Sequence, residues 1–206
     1  MAIKDRARLD DHYSRKARQE GFPARSVYKL EEIDQKYKLL RPGQNVLDLG
    51  CAPGSWSLYA AGKVGSKGRV IGIDLELPDT AFPPQVTILQ GDLLENPVEL
   101  VHSAAPFDLV LSDMAPKTMG RREVDQARSL DLCRMAWAWA ETMLAPSGHF
   151  LFKLFQSQDG DDFVRTLKPR FSQIVRLKPK ATRSQSLEIF VLGMKYCGPQ
   201  KDESTM

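Results

Sequence analysis

The chain has 206 residues, 42% of them apolar and 27% charged, with a formal net charge of +3 at pH 7. These proportions fit one globular domain with a sizeable core, and no run approaches the roughly 18 uninterrupted apolar residues of a membrane span. Three cysteines, Cys51, Cys133 and Cys197, with no C-x-x-C pair, argue against a disulfide framework or a zinc site and point to a reducing, cytoplasmic setting.

Residues 1–42 hold 11 Lys/Arg against 7 Asp/Glu and read as a basic N-terminal arm followed by a helix. The opening "MAIKDRARLDD" lacks the apolar centre of a signal peptide. In "SVYKLEEIDQKY", apolar residues at Val27, Leu30, Ile33 and Tyr37 have helical spacing, and Ser26 with Lys29 three residues on forms no capping box. "RPG" at 41–43 then breaks the chain.

Residues 43–196 are expected to form the core of the domain. "NVLDLG" reads as a first buried strand and Gly54 to Val64 as a helix. "RVIGIDL", "VTILQGD" and "FDLVLSD" read as the next three strands. A long apolar-periodic helix is expected over Arg128 to Leu144, closed by "APSG", and "HFLFKLF" as the fifth strand. A helix beginning at Asp161 precedes two last strands, "QIVRL" and "SLEIFVLG", which can pair antiparallel. Alternating β and α elements predict an α/β, Rossmann-like fold, a mostly parallel seven-stranded sheet with helices on both faces. Ligands in such folds gather at the carboxyl ends of the strands. The tail, 197–206, is expected to be disordered.

The first strand runs into "DLGCAPGSW". Gly50 and Gly54 permit a tight turn and close approach of a ligand. Asp74 ends the second strand and is placed to accept both ribose hydroxyls of an adenosine, and Asp92 after the third to hold the adenine edge. The run is not G-x-G-x-x-G, Pro53 removes a backbone donor, and Asp48 sits beside the loop. An acid suits a cation better than a phosphate, so S-adenosylmethionine, with its sulfonium and ammonium, fits better than a nicotinamide dinucleotide.

Asp113 stands at the tip of the fourth strand, Lys153 near the end of the fifth, and Glu188 on the last, each a charge in an apolar run. Three such charges converging on a cofactor pocket favour function over a structural ion pair. Trp137 and Trp139 lie two apart on the long helix, so they face different ways, with Trp137 expected in the core and Trp139 half exposed. Cys51 reads as a small filler and "DGDD", Asp159 to Asp162, as a helix start. The histidines are isolated and no metal-ligand spacing is present.

Together "SVYKLEEI", "DLGCAPGSWS", "SDMAP", "FKLF" and "EIFVLG" resemble, in the same order over roughly residues 10–195, the FtsJ-like ribose 2′-O-methyltransferases. That resemblance implies a catalytic tetrad of Lys29, Asp113, Lys153 and Glu188, and cofactor contacts from Gly54, Trp56, Asp74, Asp92 and Asp113. Where similar proteins have "APGGW", this chain has Ser55. Within the tetrad, Lys153 is read either as the general base or as a cation that orients the hydroxyl oxygen. Its apolar strand and Lys29 favour the first, Asp113 and Glu188 the second.

The resemblance also implies an RNA substrate, by likeness a uridine of 23S ribosomal RNA in the large ribosomal subunit, handled by a cytoplasmic monomer. Charge agrees: Arg15, Lys16, Arg18 and Arg25 in the N-terminal segment, and Lys178, Lys180 and Arg183 in a late loop, are candidates to grip phosphates. Another RNA (transfer RNA or a messenger cap) and a non-catalytic RNA-binding assembly factor are the competing readings.

Overall fold

The computed structural model describes residues 12–95, 99–183 and 185–198. Seven strands form one sheet: β1 (Asn45–Leu49), β2 (Arg69–Asp74), β3 (Val86–Gln90), β4 (Phe107–Ser112), β5 (Leu144–Phe155), β6 (Phe171–Leu177) and β7 (Glu188–Tyr196). Their order across the sheet is β3-β2-β1-β4-β5-β7-β6. The first five run parallel, whereas β7 lies antiparallel to both β5 and β6. The order reverses direction between β1 and β4, where the doubly wound plan leaves a crevice at the carboxyl ends.

Helices cover both faces: α1 (12–19), α2 (Val27–Tyr37), α3 (Ser55–Val64), α4 (Glu99–Ala104), α5 (Arg122–Met143) and α6 (Gln158–Leu167). On one face α1, α2 and α3 bury Ala17, Leu30, Ile33 and Ala60 against Val46, Leu109, Leu111, Leu151 and Phe190. On the other, α4, α5 and α6 bury Val101, Ala136 and Val164 against Leu47, Val110, Phe150, Phe152 and Leu154. Alternation along β5 explains this division: Phe150, Phe152 and Leu154 face α5, while Leu151 faces α2 and α3. Lys153 continues the Leu151 row. Each fully buried large apolar side chain stabilises the fold by roughly 1.5–3 kcal/mol, which is what holds a strand carrying one lysine in place.

The predicted fold class is the observed one. The differences lie at element ends. Helix α5 begins at Arg122, not Arg128, because its polar first turn carries no apolar period; Asp125 there is buried and accepts the Met119 N–H at 2.8 Å. The "APSG" segment is part of β5, at a register irregularity against β4, and does not close the helix. Strand β3 ends at Gln90, two residues before Asp92. Helix α4 has six residues, too few for a periodic signal. Of Trp137 and Trp139, the latter is buried, 6% exposed, its indole N–H donating to the Leu93 carbonyl at 3.0 Å. Trp137 is partly exposed and packs against Phe150, Phe171 and Tyr196 under Arg170. The expected assignments are thus exchanged, because the helix presents Trp139 towards α4 and the loop after β3. No helix among the described residues is long and apolar enough to cross a membrane. Of the expected disordered tail, 199–206 lies outside the described residues, as does the arm's start at 1–11.

Candidate active site

The glycine loop after β1 and the ends of β2, β3 and β4 enclose a cavity of about 290 Å³. Three carboxylates line it, Asp74, Asp92 and Asp113, with apolar walls from Ile73, Leu93, Met114, Leu132 and Met135 and no basic side chain. Asp74 accepts the Ala52 N–H at 2.8 Å on one oxygen and the Glu76 N–H at 3.1 Å on the other, which fixes its plane at the strand end. Asp92 accepts the Leu94 N–H at 2.9 Å. Carboxylate oxygens have two lone pairs each, so both acids keep capacity for a ligand hydroxyl or amine.

Gly50 has φ +71°, and a Cβ there would fall 2.2 Å from Met114 Cγ. Only glycine lets the loop pass under Met114, and the "SDMAP" methionine closes the cavity roof, a role that spacing alone did not announce. Beneath lies Asp48, 1% exposed and accepting the Ser57 hydroxyl at 2.6 Å. Burial pushes its pKa up to about 7, against the lowering effect of the Ser57 hydrogen bond, and the charges of Asp113 and Asp74 push the same way as burial. A phosphate in this cavity would meet only like charge. A sulfonium with an ammonium meets complementary charge, and a purine meets the apolar walls, so the residues fit S-adenosylmethionine.

The tetrad residues form two ion pairs. Lys153, 7% exposed, donates from Nζ to Asp113 Oδ1 at 2.9 Å and to the Asp113 backbone carbonyl. Lys29 pairs with Glu188 Oε1 at 2.6 Å. Phe190 links them: it is the cross-strand partner of Lys153, and Lys29 Nζ stands 5.6 Å from its ring centre. Asp113 faces the first cavity, whereas Lys29 and Glu188 line a second, of about 270 Å³, with Arg25, Ser26, Ala181, Arg183 and Ser186.

The Lys153 backbone is held from the opposite face. Strand β4 stops at Ser112 while β5 continues, and side chains of α5 replace the missing strand. Cys133 donates its thiol to the Lys153 carbonyl at 3.0 Å, Ser129 accepts the Phe155 N–H at 3.0 Å, and Gln126 donates to the Gln156 carbonyl. Burial pushes the Cys133 thiol up to about 12, so it stays a donor. Cys51 is likewise buried, its thiol pushed up by burial, and packs against Gly72 as a filler.

Gly54 and Trp56, which the resemblance places at the cofactor, stand at the start of α3. Gly54 (φ +104°) caps α3 under Phe82, and Trp56 is buried against Phe190 with its indole N–H donating to the Ser26 carbonyl at 2.9 Å. Neither lines the first cavity.

Among the basic candidates, Arg25 and Arg183 line the second cavity, and Arg25 donates to the Ala181 carbonyl at 2.8 Å. Lys180 offers its backbone N–H to Glu32 at 2.7 Å, and Lys178 donates to the Ser186 carbonyl at 2.9 Å. The first bond ties the late loop to α2, and the second closes the loop on itself. Arg15 and Arg18 are exposed on α1, and Lys16 lies 4.4 Å from the Tyr28 ring centre and 3.6 Å from Glu20. None of these five lines the cavity.

Residues 22–196 match the family described as FtsJ-like methyltransferase. A protein of Nitratidesulfovibrio vulgaris named "Ribosomal RNA large subunit methyltransferase E" is 48% identical over 197 residues, covering 94% of this chain and 97% of its own. One of the same name from Bdellovibrio bacteriovorus is 50% identical over 188 residues, covering 89% and 95%. The crystal structure of a ribosomal RNA methyltransferase from Plasmodium falciparum superposes with a TM-score of 0.77 at 26% identity, covering 86% of this chain and all of that one.

Proposed function

The chain belongs to the FtsJ-like methyltransferases, and from that premise we propose that it methylates the 2′-hydroxyl of a uridine ribose in 23S ribosomal RNA within the large ribosomal subunit, in the cytoplasm. The observation that carries this reading is the pair of buried ion pairs between two cavities of opposite character. The similarity to proteins named for the large-subunit RNA supports the target.

S-adenosylmethionine, when bound, supplies a methyl group activated by a sulfonium. Asp74 and Asp92 would hold its ribose and adenine, and the acidic lining with Asp113 would hold its cationic end. Arg25 and Arg183 meet the phosphates beside the acceptor ribose. A 2′-hydroxyl is a poor nucleophile until its proton leaves, so alignment and a base are the main needs. Lys153 supplies the base. Asp113 fixes the Lys153 Nζ through two hydrogen bonds, one to Oδ1 and one to its backbone carbonyl. Lys29 and Glu188 orient the ribose from the second cavity.

Incubation with labelled S-adenosylmethionine and either free ribosomal RNA or large subunits, followed by mapping of the modified nucleotide, tests the proposal. Label on a uridine 2′-oxygen of the large-subunit RNA is expected. Label on a base, or only on transfer or messenger RNA, overturns it.

A further inference from the structure

The segment between α1 and α2 has no secondary structure of its own, yet it carries Arg25 and leads into Lys29. Its backbone groups must find partners outside the segment. Ser55, the first residue of α3 and 2% exposed, provides two of them. Its hydroxyl accepts the Ala24 N–H at 2.8 Å and donates to the Ala24 carbonyl at 3.1 Å. One hydroxyl thereby exchanges both bonds with one residue, as a neighbouring strand would. Trp56 adds the third, its indole N–H on the Ser26 carbonyl at 2.9 Å. Arg25, between the two anchored residues, reaches over to the Ala181 carbonyl at 2.8 Å. Thr182 beside it stands 3.5 Å from Glu188.

We propose that Ser55 and Trp56 form a clasp that sets Arg25 and Lys29 relative to the glycine loop, so that the acceptor side of the site is registered on the cofactor side. Both are positioning residues. Gly54 immediately precedes them, so the clasp hangs from the helix that the glycine loop opens. This role rests on the methyl-transfer reading above. It accounts for the serine at position 55, whose hydroxyl has no other partner among the described residues, and for a tryptophan buried away from the first cavity. A glycine at 55 could make neither bond to Ala24.

The test uses the full chain with Ser55→Ala and, as a second variant that keeps an aromatic ring, Trp56→Phe. Amide hydrogen exchange at residues 24–29, S-adenosylmethionine affinity by calorimetry, and steady-state transfer to large subunits are measured. In Ser55→Ala the Ala24 amide is expected to exchange about tenfold faster. KM for the subunit should rise and kcat fall, each by about three- to tenfold, with cofactor affinity within twofold of wild type. Trp56→Phe should show the same split. Unchanged exchange at 24–29 overturns the clasp. So does faster exchange with wild-type kinetics, or a loss of cofactor affinity that matches the loss of transfer. If Ser55→Ala does not fold, the same outcomes in Trp56→Phe decide. Wild-type protein that transfers methyl to neither RNA nor subunits defeats the functional reading instead, and the exchange data then still judge the clasp.

Discussion

The two cavities at the carboxyl edge of the sheet differ in charge, and the difference suits the ligands proposed for each. The first is lined by Asp74, Asp92 and Asp113 with no basic side chain; the second by Arg25, Lys29 and Arg183 with Glu188 alone opposing. A cationic small molecule is drawn to one and a polyanion to the other. Under the proposed function, each ligand would meet like charge in the wrong cavity. Between the cavities, Lys153 is held to Asp113 on one side and stands opposite Phe190 of β7 on the other.

Breaking the boundary itself should have the largest effect. Lys153→Ala is expected to lower methyl transfer by about a thousandfold or more while leaving S-adenosylmethionine affinity nearly unchanged; transfer within tenfold of wild type in a single-turnover assay would refute its role. Lys153→Arg separates the two readings of the residue. Arginine keeps the cation and cannot act as a base near neutral pH, so it should be as inactive as alanine, and substantial activity would make Lys153 an orienting cation.

Next in size is the acidic side. Asp74→Ala should weaken cofactor binding by about 10- to 100-fold, the worth of a hydrogen-bonded charged group, and leave RNA affinity alone. Calorimetry with the cofactor and filter binding with RNA read the two halves separately. On the basic side, Arg25→Glu with Arg183→Glu should weaken RNA binding about tenfold and flatten its salt dependence. Reversal at Arg15, Lys16 and Arg18 should do the same more weakly, since those side chains lie outside the cavity. Cofactor affinity that falls along with RNA affinity would show that the halves are not separable.

The smallest effect concerns pH. Burial raises the Asp48 carboxyl from its ordinary 3.8 to about 7 in the folded chain. The folded state then binds this proton more tightly than the unfolded one. The resulting stabilisation is complete below about pH 3.8 and is lost as pH rises to about 7. Thermal melts of wild type and Asp48→Asn across that window should diverge, the variant lacking this downward slope. Identical slopes would mean that Asp48 is ionised throughout.

Much of this was legible in the residue order. The alternation of apolar runs gave the sheet, and the charges interrupting those runs gave Asp74, Asp113, Lys153 and Glu188. Pairing was less legible. Lys153 meets Asp113 because β4 and β5 are parallel neighbours, as their succession implies, whereas Lys29 meets Glu188 because β7 is antiparallel and enters the site at its first residue, which no local pattern encodes. Trp139 was misjudged because its indole N–H follows the Leu93 carbonyl, which is distant in sequence, and the indole bond of Trp56 to the equally distant Ser26 carbonyl was as silent. The α5 side chains bonded to β5 were likewise silent, since Cys133, Ser129 and Gln126 look ordinary on a helix and act only because β4 stops short.

The reversed direction of β7 has a further outcome for how such a chain can diverge. A parallel strand would deliver its last residue to the site and carry the chain away from it afterwards. Strand β7 delivers Glu188 first, so the loop before it, with Lys178, Lys180 and Arg183, already lies on the acceptor side. Insertions or recharging in that hairpin loop change which nucleic-acid surface is met and leave Asp74 and Asp92 where they are. On the proposed function, target choice and donor chemistry are thereby written on separate stretches of one chain, free to drift at different rates.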